Sequence, residues 1–405
     1  MKLSRRKFLQ RTGVLGCTVA ASPLLTPMSF AALPSKNRLV VIILRGGMDG
    51  LDVVQPYGDP AMAGLRPHLP FGEAGGSFDL DGFFALHPVL GGLMPLWAKG
   101  ELAFVHAVST PYRDKRSHFD GQDLLEAGLG MDALGRLRDG WLNRMLQVMP
   151  GADPHTGFVV GREEMLVMAG NAPVANWSPD TYLALSSQSR RLLEMVYHDD
   201  PLFNAAVTEA LELAGGLAPE AMFGEPDMAM MQQQMVASLK GGAHKRVARF
   251  AAVRLREETR VAAFSINGWD THKGQKRALK GALAKLSDTI LILQKELGPI
   301  WDKTAVLAMT EFGRTARENG TRGTDHGTGG AMLLAGGAIA GGQVFGDWPG
   351  LHEGDLYKGR DLMPVMDVRS LSAAAIQGLF GLDKAVLESA VFPGLEMKAP
   401  PKIII

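Results

Sequence analysis

The sequence predicts an α/β fold with a mostly parallel central sheet and helices on both faces. Three observations point there. The continuous apolar run Leu39-Val40-Val41-Ile42-Ile43-Leu44 suits a strand buried on both of its faces. Between Lys273 and Leu297, residues Leu279, Leu283, Leu286, Ile290, Leu293 and Leu297 recur at alternating spacings of four and three. That is the apolar stripe of an amphipathic helix. Strand-like and helix-like segments also alternate, which favours parallel pairing through crossover connections.

The other elements follow in order. Residues Glu101 to Ala107 read as a strand. Ser117 through Ala127 read as a helix, with Ser117 at the N-cap and Asp120 three residues on, an approximate capping box. Residues 155–260 are richer in helical patterns and predict a helical insertion. Val261 to Ile266 returns to strand character, the long helix stops at Gly298-Pro299, and Thr304–Thr310 and Ala331–Ala335 read as further strands. With 405 residues, 46% of them apolar, and no fixed-period repeat, the chain can bury one large core.

The N-terminal stretch has its own pattern. Ser4-Arg5-Arg6-Lys7-Phe8-Leu9-Gln10 precedes a weakly apolar run from Gly13 to Leu25 and then Ser29-Phe30-Ala31, and no acidic residue comes before Asp49. This is the form of a twin-arginine signal peptide over residues 1–31, cleaved after Ala31 to leave one domain over 32–405. Pro23 and Pro27 interrupt a run too short and mild to span a bilayer, so no stable membrane span is expected in the mature chain. Cys17, after Val14-Leu15-Gly16, faintly resembles a lipoprotein acceptor but has almost no hydrophobic region ahead of it. The expected export partner is the twin-arginine translocase, and the expected location is periplasmic or secreted.

Cleavage would remove five of the 42 basic residues and none of the 42 acidic ones, leaving a net charge of −5. Cys17 is the only cysteine, so the mature chain has no disulfide, no thiolate nucleophile and no iron–sulfur ligation. Without a basic stripe, nucleic acid is not an expected partner.

Four predicted strand exits carry polar groups of the kind that build metal sites. The first, Arg45-Gly46-Gly47-Met48-Asp49-Gly50-Leu51-Asp52, turns sharply on its glycines and presents Asp49, with Asp52 nearby. The second, Arg116-Ser117-His118-Phe119, sets a hydroxyl and an imidazole at a helix N-terminus, where the dipole favours an anion. In the third, Gly268-Trp269-Asp270-Thr271-His272, Asp270 and His272 alternate and share a face in extended backbone. The fourth runs from Thr310-Glu311-Phe312-Gly313-Arg314 through a glycine-rich loop to Thr324-Asp325-His326-Gly327. Each has a plainer reading. Asp49 could brace a turn, Ser117 could be an N-cap only, and Asp270–His272 could be a structural hydrogen bond. Asp325–His326 could stiffen a loop, and Arg314 could form a surface ion pair. Together, carboxylate–imidazole sets at successive strand exits suit a divalent cation, and zinc or manganese better than magnesium. Met222, Met228, Met230, Met231 and Met235 crowd one segment, but Met228, Met231 and Met235 fall at the helical spacing of ordinary packing. A copper oxidase is disfavoured by the lack of a His-x-His motif and of a mature cysteine.

These motifs, in this order after such a signal, resemble the bacterial domain-of-unknown-function 1501 family over nearly the whole mature chain. That family is in turn similar to the alkaline phosphatase and sulfatase superfamily of metal-dependent hydrolases. The resemblance implies an alkaline phosphatase-like fold and metal-assisted cleavage of a phosphate or sulfate ester, small or polymeric. It implies Ser117 as nucleophile and Asp49 (less so Asp52), Asp270, His272, Glu311 and His326 as metal ligands, with Arg314 holding the ester's non-reacting oxygens. Phe312 stands where that superfamily usually has a histidine, and the Asp270–His272 spacing is shorter than usual. The first departure weakens one of two metal positions, where Asp325 or His118 would have to substitute. It also leaves an alternative: a non-catalytic relative that binds an envelope polymer or a co-exported partner.

Replacing Arg5 and Arg6 together by Lys is expected to leave uncleaved precursor in the cytoplasm. Cell fractionation checks this, and efficient export of the double variant would contradict it.

Overall fold

Strand β1 (Arg38–Arg45) forms because an unbroken run of Leu, Val and Ile suits a pleated strand with both faces covered. The computed structural model describes residues 35–133, 139–161, 165–177 and 242–405. The expected signal peptide with Cys17, and the methionine cluster from Met222 to Met235, lie outside the described residues. Three short strands follow β1: β2 (Val54–Gln55), β3 (Phe78–Asp79) and β4 (Ala85–Leu86), which form a small separate sheet. The main sheet continues with β5 (Leu102–Ser109), β6 (Gly157–Val160), β7 (Ala175–Trp177) and β8 (Val261–Asn267). It is completed by β9 (Thr304–Met309), β10 (Gly330–Ala335), β11 (Val344–Phe345) and β12 (Met366–Asp367).

Among the described residues the main sheet has nine strands, in the order β11-β5-β10-β9-β1-β8-β6-β7, with β12 also paired to β5. All its pairings are parallel except those of β10, which runs antiparallel to both β5 and β9. The expected mostly parallel α/β sheet is therefore present. Val40, Ile42 and Leu44 of β1 join a core with the helices Ala243–Arg256 and Gln275–Leu297. Leu39, Val41 and Ile43 point to the opposite face and are just as buried, so the sheet is covered on both sides. Helix Val368–Phe380 meets β9 and contributes none of its buried residues to that first core.

Residues 157–160 and 175–177 depart from the expected helical insertion over 155–260, because both are strands that extend the sheet beyond β8. They are too short for a period to distinguish them from helix. The described part of that stretch does include the helix Ala243–Arg256. Among the described residues no helix is long and apolar enough to cross a membrane.

This topology gathers strand ends at one edge. β9, β1 and β8 lie side by side and run the same way, pairing Ile43 with Met309 and Arg45 with Asn267 near their carboxyl ends. Because β10 is antiparallel, its first residue, Gly330, returns to that same edge, and the loop from 310 to 329 spans it. In open α/β sheets ligands bind beyond the carboxyl ends of the strands, at such a place. The turn out of β1 is glycine by necessity. Gly46 (φ 122°) and Gly47 (φ 69°) adopt backbone that L side chains avoid. A Cβ on Gly46 would meet the Asp270 backbone nitrogen at 2.6 Å, and one on Gly47 would meet the Phe312 ring at 2.8 Å.

His106 on β5 is buried in the sheet; its Nε2 donates to the Val54 carbonyl at 2.9 Å and its ring stacks on Phe84. Burial pushes this imidazole down to about 4. The unfolded chain takes up a proton near pH 6.5 that the folded chain refuses until about pH 4, so stability is lost as pH falls through that window. His106→Gln is expected to remove about 2 kcal/mol of the acid-dependent loss between pH 7.5 and 5. Urea denaturation at the two pH values measures it, and an unchanged pH dependence would contradict it.

Candidate metal centre

Three imidazoles converge on one carboxylate at this edge. His118 opens the helix His118–Ala127, and His272 and Asp270 follow β8. His326 closes the loop after β9. Measured to Asp270 Oδ1, the Nε2 atoms of His118, His272 and His326 lie at 3.6, 3.2 and 3.5 Å. His118, Asp270 and His326 offer ligand atoms all within 4.8 Å of one another, a group that could hold a metal ion. His272 Nε2 lies against two of the three, with His326 Nε2 at 2.9 Å. The alternation read in the sequence explains the third segment. Asp270 and His272 face the centre while Thr271 between them is buried in the opposite direction.

Each ring is oriented from behind. His118 Nδ1 donates to Glu311 Oε1 at 2.8 Å, His272 Nδ1 to Asp325 Oδ1 at 3.0 Å, and His326 Nδ1 to the Arg116 carbonyl at 2.9 Å. A carbonyl or an ionised carboxylate can only accept, so each neutral ring carries its proton on Nδ1 and turns a bare Nε2 to the centre. Both carboxylates are held ionised. Burial raises Glu311, but hydrogen bonds from His118, Gln122 and Thr310 outweigh it and bring its pKa below the usual range. Burial likewise raises Asp325, and hydrogen bonds from Asn319 and His272 outweigh it. His326 is pushed down by burial, against an opposing hydrogen bond to the Arg116 carbonyl, and the nearby Arg314 charge lowers it further. Asp270 stays ionised because its hydrogen bond and ion pair with Arg314 overcome its partial burial.

Five residues of the expected site are engaged elsewhere. Asp49 is wholly buried in an ion pair with Arg66, at 2.6 and 3.1 Å, and also accepts from Gln275 Nε2 at 2.5 Å. Its carboxylate is already engaged by cationic and amide donors, so it serves as a structural anion rather than a ligand. Asp52 is buried beside it and accepts from the same amide at 2.9 Å. Glu311 and Asp325 stand behind histidines instead of facing the centre, Glu311 being fixed also by Gly46 N–H, Gln122 and Thr310. Arg314 is 1% exposed and donates to the carbonyls of Gly46, Gly47, Trp269 and Thr324 and to Asp270. So committed, it has no fork to offer a substrate. Ser117 is the N-cap, its Oγ accepting from Asp120 N–H at 3.3 Å. The reciprocal half of a capping box is missing, because Ser117 N–H donates to the Tyr112 hydroxyl.

Phe312 explains its own departure from the expected histidine. Its buried ring stacks between Tyr112 and His118, with centroids 6.0 and 5.0 Å away, and sits 5.0 Å from the ring of His326. It is an apolar wall behind two imidazoles. Among the described residues the arrangement provides one such cluster of donors, with the apolar ring of Phe312 packed against it.

A family model described as a protein of unknown function, DUF1501, matches residues 107–391. The chain belongs to the DUF1501 family. No curated protein matches it. Among solved structures, the DUF1501 chain is similar to a protein in the alkaline phosphatase superfamily from Vibrio parahaemolyticus. That match has 12% identity and a TM-score of 0.32, covering 83% of this chain and 69% of the other. The alkaline phosphatase from the Antarctic bacterium TAB5 matches at 10% identity and a TM-score of 0.31, covering 75% of this chain and 92% of the other. The C-terminal periplasmic domain of EcEptC from Escherichia coli, a complex with Zn, matches at 10% identity and a TM-score of 0.30, over 74% and 73% of the two chains. The reading of the centre rests on the DUF1501 chain's own residues.

Proposed function

We propose that this protein is an exported metal-dependent hydrolase of phosphate or sulfate esters, with one divalent cation held by His118, Asp270, His272 and His326. One observation carries the metal site. The Nε2 atoms of His272 and His326 face each other at 2.9 Å while both Nδ1 atoms are committed to acceptors, so when both rings are neutral two lone pairs oppose across that gap. A cation relieves that repulsion. It would also satisfy His118 Nε2, which is buried without a hydrogen-bond partner. Three imidazoles and a carboxylate form the nitrogen-and-oxygen donor set of zinc or manganese.

When bound, the cation supplies Lewis acidity toward an ester oxygen. The protein supplies the rest. Glu311, Asp325 and the Arg116 carbonyl keep the ring protons on the far side and fix the ring planes. Asp270, with its side chain 49% exposed, leaves the centre open to solvent and to an arriving anion. Ser117 adjoins His118 and is the proposed nucleophile. Its oxygen accepts the cap bond from Asp120 N–H. As that oxygen bonds to the phosphorus or sulfur its proton passes to solvent, and the ester's bond to its alcohol breaks to release the alcohol.

Protein purified from the periplasm is expected to carry zinc or manganese by elemental analysis, and His326→Ala to lose it. Metal-loaded wild type is expected to cleave at least one of an aryl phosphate, a phosphodiester and an aryl sulfate. Ser117→Ala and Ser117→Asp should both abolish turnover, while Asp keeps the cap bond worth about 1 kcal/mol. Activity surviving in the Asp variant would remove Ser117 as nucleophile. A well-folded, metal-loaded wild type that cleaves none of these esters would favour a binding protein for an envelope polymer or a co-exported partner.

A further inference from the structure

Gln275, the first residue of the helix Gln275–Leu297, is completely buried, and both ends of its side-chain amide are fully used. Its Nε2 donates to Asp49 Oδ2 at 2.5 Å and to Asp52 Oδ2 at 2.9 Å. Its Oε1 accepts from the Thr271 hydroxyl at 2.9 Å and the Thr324 hydroxyl at 2.6 Å. The ion pair of Asp49 with Arg66 makes that carboxylate an acceptor, so the amide nitrogen must face it and the threonine hydroxyls must donate to the oxygen. The amide has a single satisfied orientation.

The two threonines belong to the segments that build the metal centre. Thr271 lies between Asp270 and His272, and Thr324 directly precedes Asp325-His326. Their backbones are also joined, Thr324 N–H donating to the Thr271 carbonyl at 3.1 Å. The helix start itself is tied to the same loop, because Gly274 and Gln275 N–H donate to the carbonyls of Thr321 and Arg322 at 3.1 and 2.9 Å. Arg66, the ion-pair partner of Asp49, donates to the carbonyls of Thr315 and Ala316 in the strand-to-loop passage before His326.

We propose that Gln275 is a positioning residue that clamps the segments bearing Asp270–His272 and Asp325–His326 at the separation the cation needs. The anchor of the clamp is the acidic pair Asp49–Asp52. The inference rests on the metal-site reading above. It gives the Gly-Gly-Met-Asp-Gly-Leu segment a part in the centre without making Asp49 a ligand. Groups behind metal ligands typically change affinity by about ten- to hundredfold when lost.

The test is zinc affinity, measured by competition with a chromogenic chelator, alongside thermal unfolding and circular dichroism. Thr271→Val with Thr324→Val keeps the shape of both side chains and removes both hydroxyls. This pair is expected to weaken zinc binding about ten- to hundredfold while the protein stays folded. Thr271→Ser with Thr324→Ser restores the donors and is expected to bind close to wild type. Gln275→Leu is expected to weaken binding at least as far as the Val pair, and the Val pair decides the matter if that variant fails to fold. A folded Val pair with lowered melting temperature and wild-type zinc affinity would overturn the proposal, because a merely structural network changes stability alone. A wild-type protein that binds neither zinc nor manganese would overturn the metal site itself, and with it anything to position. Tight wild-type binding with an unaffected Val pair would overturn the clamp alone.

Discussion

The buried Arg314 guanidinium is the contact on which the rest of the centre depends. It joins the glycine turn after β1, the segment after β8 and the loop after β9, through the carbonyls of Gly46, Gly47, Trp269 and Thr324 and the carboxylate of Asp270. An arginine with its charge and N–H groups this far from water is tolerable only when they are met by acceptors. Those acceptors are backbone oxygens of separate segments, so the demand for hydrogen bonds becomes a constraint on where the segments lie. The same side chain holds Asp270 ionised and aims it at the three imidazoles.

Around that arginine the polar groups sort by what stands opposite them. Asp49 faces Arg66, Glu311 faces His118 and Asp325 faces His272, while Asp270 alone among these four carboxylates is set among the Nε2 atoms. Phe312 closes the back of the cluster with an apolar ring, and Gly121 sits close enough that a Cβ there would meet that ring at 3.0 Å. The design reads as one donor cluster with an oriented support behind each ring, open on the side of Asp270.

Much of the fold was legible in the sequence because its signals are local. The apolar run of β1 and the four-and-three stripe of Gln275–Leu297 name their own elements, and Asp270 and His272 are paired by alternation across Thr271 in the loop after β8. Four residues of β6 and three of β7 carry too little pattern to betray a strand in a stretch that otherwise reads as helical. The antiparallel entry of β10 is set by pairing across the sheet, which no local run encodes. The site shows the same division. The right neighbourhoods stood out as carboxylates and imidazoles at strand exits, but the role of each carboxylate depends on a partner distant in sequence. Nothing near Asp49 announces Arg66, and nothing near His118 announces Glu311, 193 positions away. His118 consequently ranked as a substitute, although the fold brings its Nε2 into the cluster. Gln275 gave no signal at all, since a glutamine opening an amphipathic helix looks like surface.

The central claim is that His118, Asp270, His272 and His326 converge to hold a single cation. X-ray absorption spectroscopy of protein loaded with one equivalent of zinc tests it most directly. The account predicts a shell of nitrogen and oxygen donors at about 2.0–2.1 Å with the outer scattering of several imidazole rings, diminished in His118→Ala. Zinc surrounded by water and carboxylate oxygens, with no imidazole signature, would contradict it.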